Sequence, residues 1–218
     1  MIDLHTHTLF SDGELVPSEL IRRAQAAGLR AIALTDHADM STFQEILPRV
    51  IRACEENARL RPIRCLPGIE LTHVPPALIG RYVAEARELG ARIVIVHGES
   101  PVEPVEPGTN RAAIEAGADV LSHPGLISEE EARLAAAAGV HLEITARKGH
   151  SLTNGHVAAQ ARRTGAPLVL NTDAHAPGDL ISEGFARVVA RGAGLADAEY
   201  AGLRRNMERL AGLGEAAP

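Results

Sequence analysis

Apolar runs and amphipathic stretches alternate along this 218-residue chain almost without interruption, and that alternation leaves few folds open to it. Strand-like runs fall near 2–5, 31–35, 63–69, 92–97, 119–122, 140–145 and 167–172. Helix-like stretches lie between them near 17–27, 42–60, 76–89, 109–116, 129–138 and 152–164, and two more follow near 179–191 and 196–212. Gly28, Gly90, Gly117, Gly139 and Gly165 each stand where a helix must stop before the next strand. Pro17-Ser18-Glu19 and Ser128-Glu129-Glu130-Glu131 place a capping hydroxyl and early acids at helix starts. Strand, helix, strand, repeated over short connections, means a parallel sheet with right-handed crossovers. Seven strands with the same helix–glycine–strand joint suit a barrel of βα units. The rival, an open doubly wound sheet, usually carries a glycine-rich phosphate loop after its first strand, where this chain has a histidine pair.

Composition narrows the partners. With 45% hydrophobic residues the chain can bury one sizeable core, so a single domain over 1–218 is expected. Aromatic residues make up 2% and Trp is absent, so the core must be aliphatic and no base-stacking platform is expected. A net charge of -6 without a basic run argues against nucleic acid as a partner. No apolar run is long enough to span a membrane. Met1 leads directly into a strand with no signal-peptide pattern, and Cys54 and Cys65 match no metal or redox spacing. The expectation is a cytoplasmic protein with two buried thiols.

Chemistry-bearing residues sit at the C-terminal ends of the strand-like runs. They are Asp3, His5 and His7, then Asp36 and His37, Glu70, His97, His123, and Asp173 with His175. In βα barrels that end is where sites form. His5 and His7 are two apart and point to one face of a strand, and Asp173 and His175 repeat the spacing on the last strand. In a closed barrel these strands are neighbours, so the two pairs would supply four ligands side by side. Asp3 shares the parity of His5 and is a candidate acceptor for an imidazole N–H. Asp36 is expected to orient His37 or cap a turn, and Glu99 to lie in a solvated loop. His141 and Glu143 share strand parity, and parity alone leaves open which side they face. Imidazoles and carboxylates crowded in this way are justified physically by divalent metal ions.

His5-Thr6-His7 followed by Ser11-Asp12-Gly13, Thr35-Asp36-His37, Glu70, His97, His123-Pro124-Gly125 and Asp173-Ala174-His175 resembles the PHP family, named for polymerase and histidinol phosphatase. The resemblance implies a distorted (β/α)7 TIM-like barrel with a cluster of two or three divalent metals that hydrolyses phosphoesters. Carried over residue by residue, His5, His7 and Asp173 would hold one metal. Glu70 would bridge it to a second that His97 and His123 complete. His37, His175 and Asp12 would hold a third. His5, His7, Glu70, Asp173 and His175 would carry the catalytic work. Nitrogen and oxygen ligands without thiolate suit Zn, Mn or Fe. Asp12, Glu70 and Asp173 bring three negative charges against six positive charges from three such ions, which leaves a locally cationic pocket. A small phosphorylated substrate, histidinol phosphate or another phosphometabolite, would fit there and be attacked by a metal-activated hydroxide.

The segment from Glu143 to His156 leaves the sixth strand on the same face and is dense in donors. It carries Lys148, the only lysine beside 21 arginines. Arg147 and Lys148 are the expected contacts to an anionic substrate group, and Arg111 is a weaker candidate. Loop 101–108, stiffened by Pro101, Pro104 and Pro107, is placed to cover the site. Two rival functions come from other classes: hydrolysis of C–N or lactone bonds, and a non-catalytic metal-binding regulatory domain.

Overall fold

The computed structural model describes residues 1–213. Its strands are β1 (Ile2–Asp3), β2 (Ala31–Leu34), β3 (His37–Ala38), β4 (Arg64–Leu71), β5 (Ile93–His97), β6 (Val120–Ser122), β7 (His141–Thr145) and β8 (Leu168–Asn171). Its helices are α1 (Pro17–Ala26), α2 (Phe43–Ala58), α3 (Pro76–Leu89), α4 (Thr109–Glu115), α5 (Glu129–Ala138), α6 (Asn154–Thr164), α7 (Glu183–Gly192) and α8 (Asp197–Leu210). All strand pairs are parallel, in the order β1-β2-β4-β5-β6-β7-β8. This is the expected seven-stranded barrel, nearly closed. β3 continues β2 along β4 in the same register, with Leu34 opposite Pro67 and His37 opposite Glu70. Between them Thr35 turns away, and its N–H donates to Thr6 O at 2.8 Å.

Closure between the first and last strands is made by side chains. Leu4 N–H donates to Asn171 Oδ1 at 2.9 Å, and Thr172 N–H donates to Asp3 Oδ1 at 3.2 Å. The Thr172 hydroxyl donates to Asp3 Oδ2 at 2.5 Å, and a parallel bridge joins Thr6 to Ala174. Burying these backbone groups unpaired would cost about 1–3 kcal/mol each, so Asp3 and Asn171 substitute for ladder bonds. α8 covers the seam from outside, setting Tyr200, Leu203 and Met207 against Ile2 and Leu170.

Helix ends follow the sequence signals with one exception. Gly90 and Gly139 stop α3 and α5 in left-handed geometry, at φ 106° and 73°. Ser128 forms a reciprocal capping box with Glu131. The Ser18 hydroxyl, by contrast, does not cap α1: the cap position is Val16 and Pro17 opens the helix, so the first turn has one N–H fewer to satisfy. α7 starts later than expected, because a 3-10 turn at Pro177–Asp179 intervenes and the Ser182 hydroxyl caps the helix by accepting from Phe185 N–H. Cys54 and Cys65 are buried free thiols. Among the described residues no helix is long and apolar enough to cross a membrane.

Candidate metal centre

The barrel mouth gathers every candidate ligand from the strand ends. His5, His7, Glu70, His97, His123 and Asp173 are all buried, while His37 and His175 are partly exposed and Asp12 is exposed. His5 Nε2 lies 3.2 Å from Glu70 Oε2 and 3.6 Å from Asp173 Oδ1. His7 Nε2 lies 3.6 Å from Glu70 Oε2 and 3.1 Å from Asp173 Oδ1. These four atoms are buried and face other candidate ligands, with Glu70 Oε2 also 2.7 Å from His37 Nδ1. Four donors tetrahedrally bound at about 2.0–2.1 Å would stand about 3.3–3.4 Å apart along each edge. The four separations above are close to that spacing, and the donor atoms of His5, His7 and Glu70, like those of His5, His123 and Asp173, all lie within 4.8 Å of one another, so this cluster fits a divalent cation.

A second group brings His7, Asp12, His37 and His175 together. The His7 ring lies between those of His37 and His175, with centroids 4.1 and 4.2 Å away. Asp12 Oδ1 is 3.2 Å from His175 Nε2 and 3.7 Å from His37 Nε2. A third group contains His97 and His123, and its third member is His150. Glu70 Oε1 stands 4.0 Å from His123 Nε2 and accepts from the Ser122 hydroxyl at 2.7 Å.

Backbone geometry at the ligands is unusual. Asp173 and His123 have φ of 54° and 26°, in a region that costs a non-glycine residue about 1–3 kcal/mol. The parity expected of Asp173 and His175 therefore does not apply, since β8 ends at Asn171. The left-handed Asp173 instead turns its carboxylate inward, and its carbonyl meets His175 Nδ1 at 2.9 Å. A Cβ on Gly98 would stand 2.3 Å from Ser122 O, so the backbone after His97 packs directly on the neighbouring strand end.

Burial and charge set the protonation of the metal-free centre. Burial works against a charged His5, but Glu70, Glu143 and Asp173 outweigh it and hold its pKa well above the ordinary value. Burial, reinforced by His37 and His5, keeps His7 well below its ordinary value. Glu70 is held well below the carboxylate range because His5 and His37 overcome its burial. Burial lifts Asp173 to about 7. Carboxylates and imidazoles buried at this density strain against one another without cations, and cations would relieve that.

Some side chains act differently from the sequence expectation, while others, Asp36, His141 and His156 among them, take the ordinary roles expected of them. Asp3 touches no imidazole, because the barrel seam uses both of its oxygens. The imidazole acceptor is Glu143, whose Oε1 lies 2.8 Å from His5 Nδ1 and whose Oε2 accepts from His123 N–H at 3.1 Å. Asp36 accepts from Thr8 and Ser11, through both backbone and hydroxyl, and so shapes the loop between His7 and Asp12. Glu99 Oε1 accepts from Gly108 and Asn110 N–H groups at the start of α4. Arg111 pairs with Glu130 on the surface. His141 meets Asp119 O and His156 meets Ile127 O, both structural contacts. Loop 101–108 does reach the site, through Glu103, whose Oε2 is 3.0 Å from His97 Nε2.

Arg147 and Lys148 line a cavity of about 590 Å³ with Thr172, Asp179, Ile181 and Phe185. No candidate ligand lines it, but Thr172 directly precedes Asp173. Arg147 pairs with Asp179 at 3.2 Å, and Asp179 also accepts from His175 N–H at 2.9 Å. Lys148 is exposed and has no ion-pair partner among the described residues.

The PHP domain family model matches residues 3–99, the stretch that carries His5, His7, Asp12, His37, Glu70 and His97. An uncharacterized protein of Methanocaldococcus jannaschii is 49% identical over 199 residues, covering 90% of this chain and 91% of its own. The chain belongs to the PHP family. Another relative is a 5'-3' exoribonuclease of Haemophilus influenzae, 46% identical over 70 residues, or 32% of this chain and 23% of that one. Among solved structures, the histidinol phosphate phosphatase of Lactococcus lactis, complexed with zinc, L-histidinol and phosphate, superposes with a TM-score of 0.57. That match covers 89% of this chain and 94% of the other at 19% identity, which shows the shared fold and no more.

Proposed function

We propose that this PHP protein is a metal-dependent phosphoesterase, acting as a phosphomonoesterase on a small phosphorylated metabolite. The observation that carries the reading is the quartet of buried atoms, His5 Nε2, His7 Nε2, Glu70 Oε2 and Asp173 Oδ1, that face one another and other candidate ligands. These four residues would hold one cation. Glu70 would reach toward a second site at His97 and His123, and His37, His175 and Asp12 would serve a third. Zinc, manganese or iron held there would supply Lewis-acid activation of a phosphoryl oxygen and a lowered pKa for water.

The protein's own groups do the rest. Burial of His5, Glu70 and Asp173 excludes bulk water and strengthens each electrostatic contact. Glu143 fixes the His5 ring through Nδ1, which leaves Nε2 facing the centre. His175 Nδ1 meets the Asp173 carbonyl at 2.9 Å, which leaves Nε2 facing Asp12 at 3.2 Å on the more exposed side, where the third cation would be held. Arg147 and Lys148 line the adjoining cavity, where the non-reacting part of a substrate would lie.

The reading is supported by the names of both characterised relatives, which describe phosphoester hydrolysis. Its test is turnover by manganese- or zinc-loaded protein. The expected result is inorganic phosphate released from phosphomonoesters such as histidinol phosphate and nucleoside monophosphates, with none of the activity on amides or lactones. Turnover confined to amides or lactones, or none on any substrate at full metal occupancy, would overturn it. A second reading, phosphodiester cleavage at nucleic-acid ends, is favoured by the 46% identity to the exoribonuclease stretch. Short RNA in the same panel separates the two.

A further inference from the structure

Two side chains outside the PHP ligand pattern converge on His97 and His123. His150 follows β7 and is buried, with its ring stacked on His123 at a centroid distance of 4.1 Å. Its Nδ1 meets the Ser100 hydroxyl at 2.6 Å. A hydroxyl can accept as well as donate, so Ser100 can accept from His150 Nδ1–H and hold the tautomer that leaves a lone pair on Nε2. That Nε2 lies 3.4 Å from Glu103 Oε1, while Glu103 Oε2 lies 3.0 Å from His97 Nε2. One carboxylate thus spans two imidazoles, and contact with His97 pulls its pKa down to about 2. The ligand atoms of His97, His123 and His150 all lie within 4.8 Å of one another. Buried His97 Nδ1 and His123 Nδ1 have no hydrogen-bond partner.

We propose that His150 and Glu103 join His97 and His123 as ligands of a divalent metal, giving this chain a three-imidazole site at which Glu103 adds to the carboxylate that Glu70 reaches in from the quartet at His5. Glu103 sets one oxygen against each of two imidazoles, Oε2 at 3.0 Å from His97 Nε2 and Oε1 at 3.4 Å from His150 Nε2, and would supply an oxygen to a cation held by the three nitrogens. Three nitrogens with carboxylate oxygen suit zinc, or cobalt as its spectroscopic substitute. Glu103 comes from the proline-rich loop 101–108, so metal binding would also pin that loop over the mouth of the barrel.

The inference rests on the reading of the barrel mouth as a metal centre, and metal titration separates the two. Wild type, His150→Gln and Glu103→Gln are titrated with cobalt, and the d–d absorption, metal stoichiometry and affinity are recorded, with circular dichroism as the folding control. The expected result is that each variant keeps the tighter-binding quartet site. At the other site each should lose affinity by more than the roughly 10–100-fold typical of losing a supporting partner, with an altered cobalt spectrum. If His150→Gln fails to fold, Glu103→Gln still decides, since its side chain is 37% exposed. Variants with wild-type stoichiometry, affinity and spectrum would overturn the inference and leave the metal centre standing. A wild type that takes up no metal would overturn both.

Discussion

Glu143 Oε1 lies 2.8 Å from His5 Nδ1, and both side chains are wholly shielded from solvent. The same carboxylate accepts from Asn171 Nδ2 and from His123 N–H, so one buried acid links β7, β8 and two candidate ligands. Such a carboxylate orients a ligating imidazole and raises its basicity. Glu143→Gln keeps the shape but turns an amide toward the His123 N–H, leaving two donors face to face. We expect metal affinity at the His5 site to fall about 10–100-fold. The loss of stability should be about 1–3 kcal/mol. Metal titration and urea denaturation check the two halves, and unchanged affinity would remove Glu143 from the centre's support.

Asp36 makes a different prediction. Its carboxylate accepts from Thr8 and Ser11 and thereby sets the loop that presents Asp12 to His37 and His175. Asp36→Ala leaves two backbone N–H groups without that acceptor and should cost about 3 kcal/mol or more, since bonds to a charged group contribute about 1.5–3 kcal/mol each. Asp36→Asn retains one oxygen and should cost less. Denaturant midpoints rank the variants, and equal midpoints for Asn and Ala would refute the loop-shaping role.

The contrast between these residues and the ligands shows what the sequence could carry. His5 and His7 were legible because the chain runs on past β1 through the Thr6–Ala174 bridge, where a spacing of two still sets both on one face. The closing of β1 against β8 was legible only as a consequence of barrel topology. That Asp3 and Asn171 would make the closure, instead of Asp3 holding an imidazole, depends on how short β1 is. Glu143 was visible as a partner of His141 in parity, but parity could not say which side faces inward, and depth along the barrel separates their roles. His141 sits at the end near Asp119 and Arg209, two residues from the level of His5. Glu103 and His150 lie in loops, where no periodicity constrains direction, and only tertiary packing brings them to His97.

Protonation of Asp173 gives a pH signature. Burial raises its pKa from the ordinary 3.8 to about 7 in the metal-free protein. Between those values the folded chain holds a proton that the unfolded chain has released. This group's contribution to stability is therefore full below the ordinary value and is lost as pH rises through about 7. A cation displaces that proton, so the metal competes poorly in acid and well in base. The rise in Tm on adding saturating manganese should be small near about pH 5.5 and grow toward about pH 8. Thermal denaturation with and without the metal measures it, and a gain that shrinks with rising pH would contradict the placement of Asp173 in the centre.

Lys148 tests the substrate end of the site with little risk to the fold. Arg147 is a poor first probe, because it pairs with Asp179, which also holds the His175 N–H, so its removal disturbs a candidate ligand. Lys148 is exposed, and it lines the cavity without a counter-ion among the described residues. A solvent-screened contact of this kind is worth at most about 1 kcal/mol, or roughly a fivefold change in binding. Lys148→Ala should therefore raise KM for an anionic substrate up to about fivefold while leaving kcat and metal content unchanged. Lys148→Arg should restore part of the loss, because charge is kept while the compact ammonium is replaced by a planar fork. Steady-state kinetics at two salt concentrations completes the test, since added salt should narrow the gap between wild type and Lys148→Ala. Identical KM values at low salt would assign the cavity wall to the fold instead of the substrate.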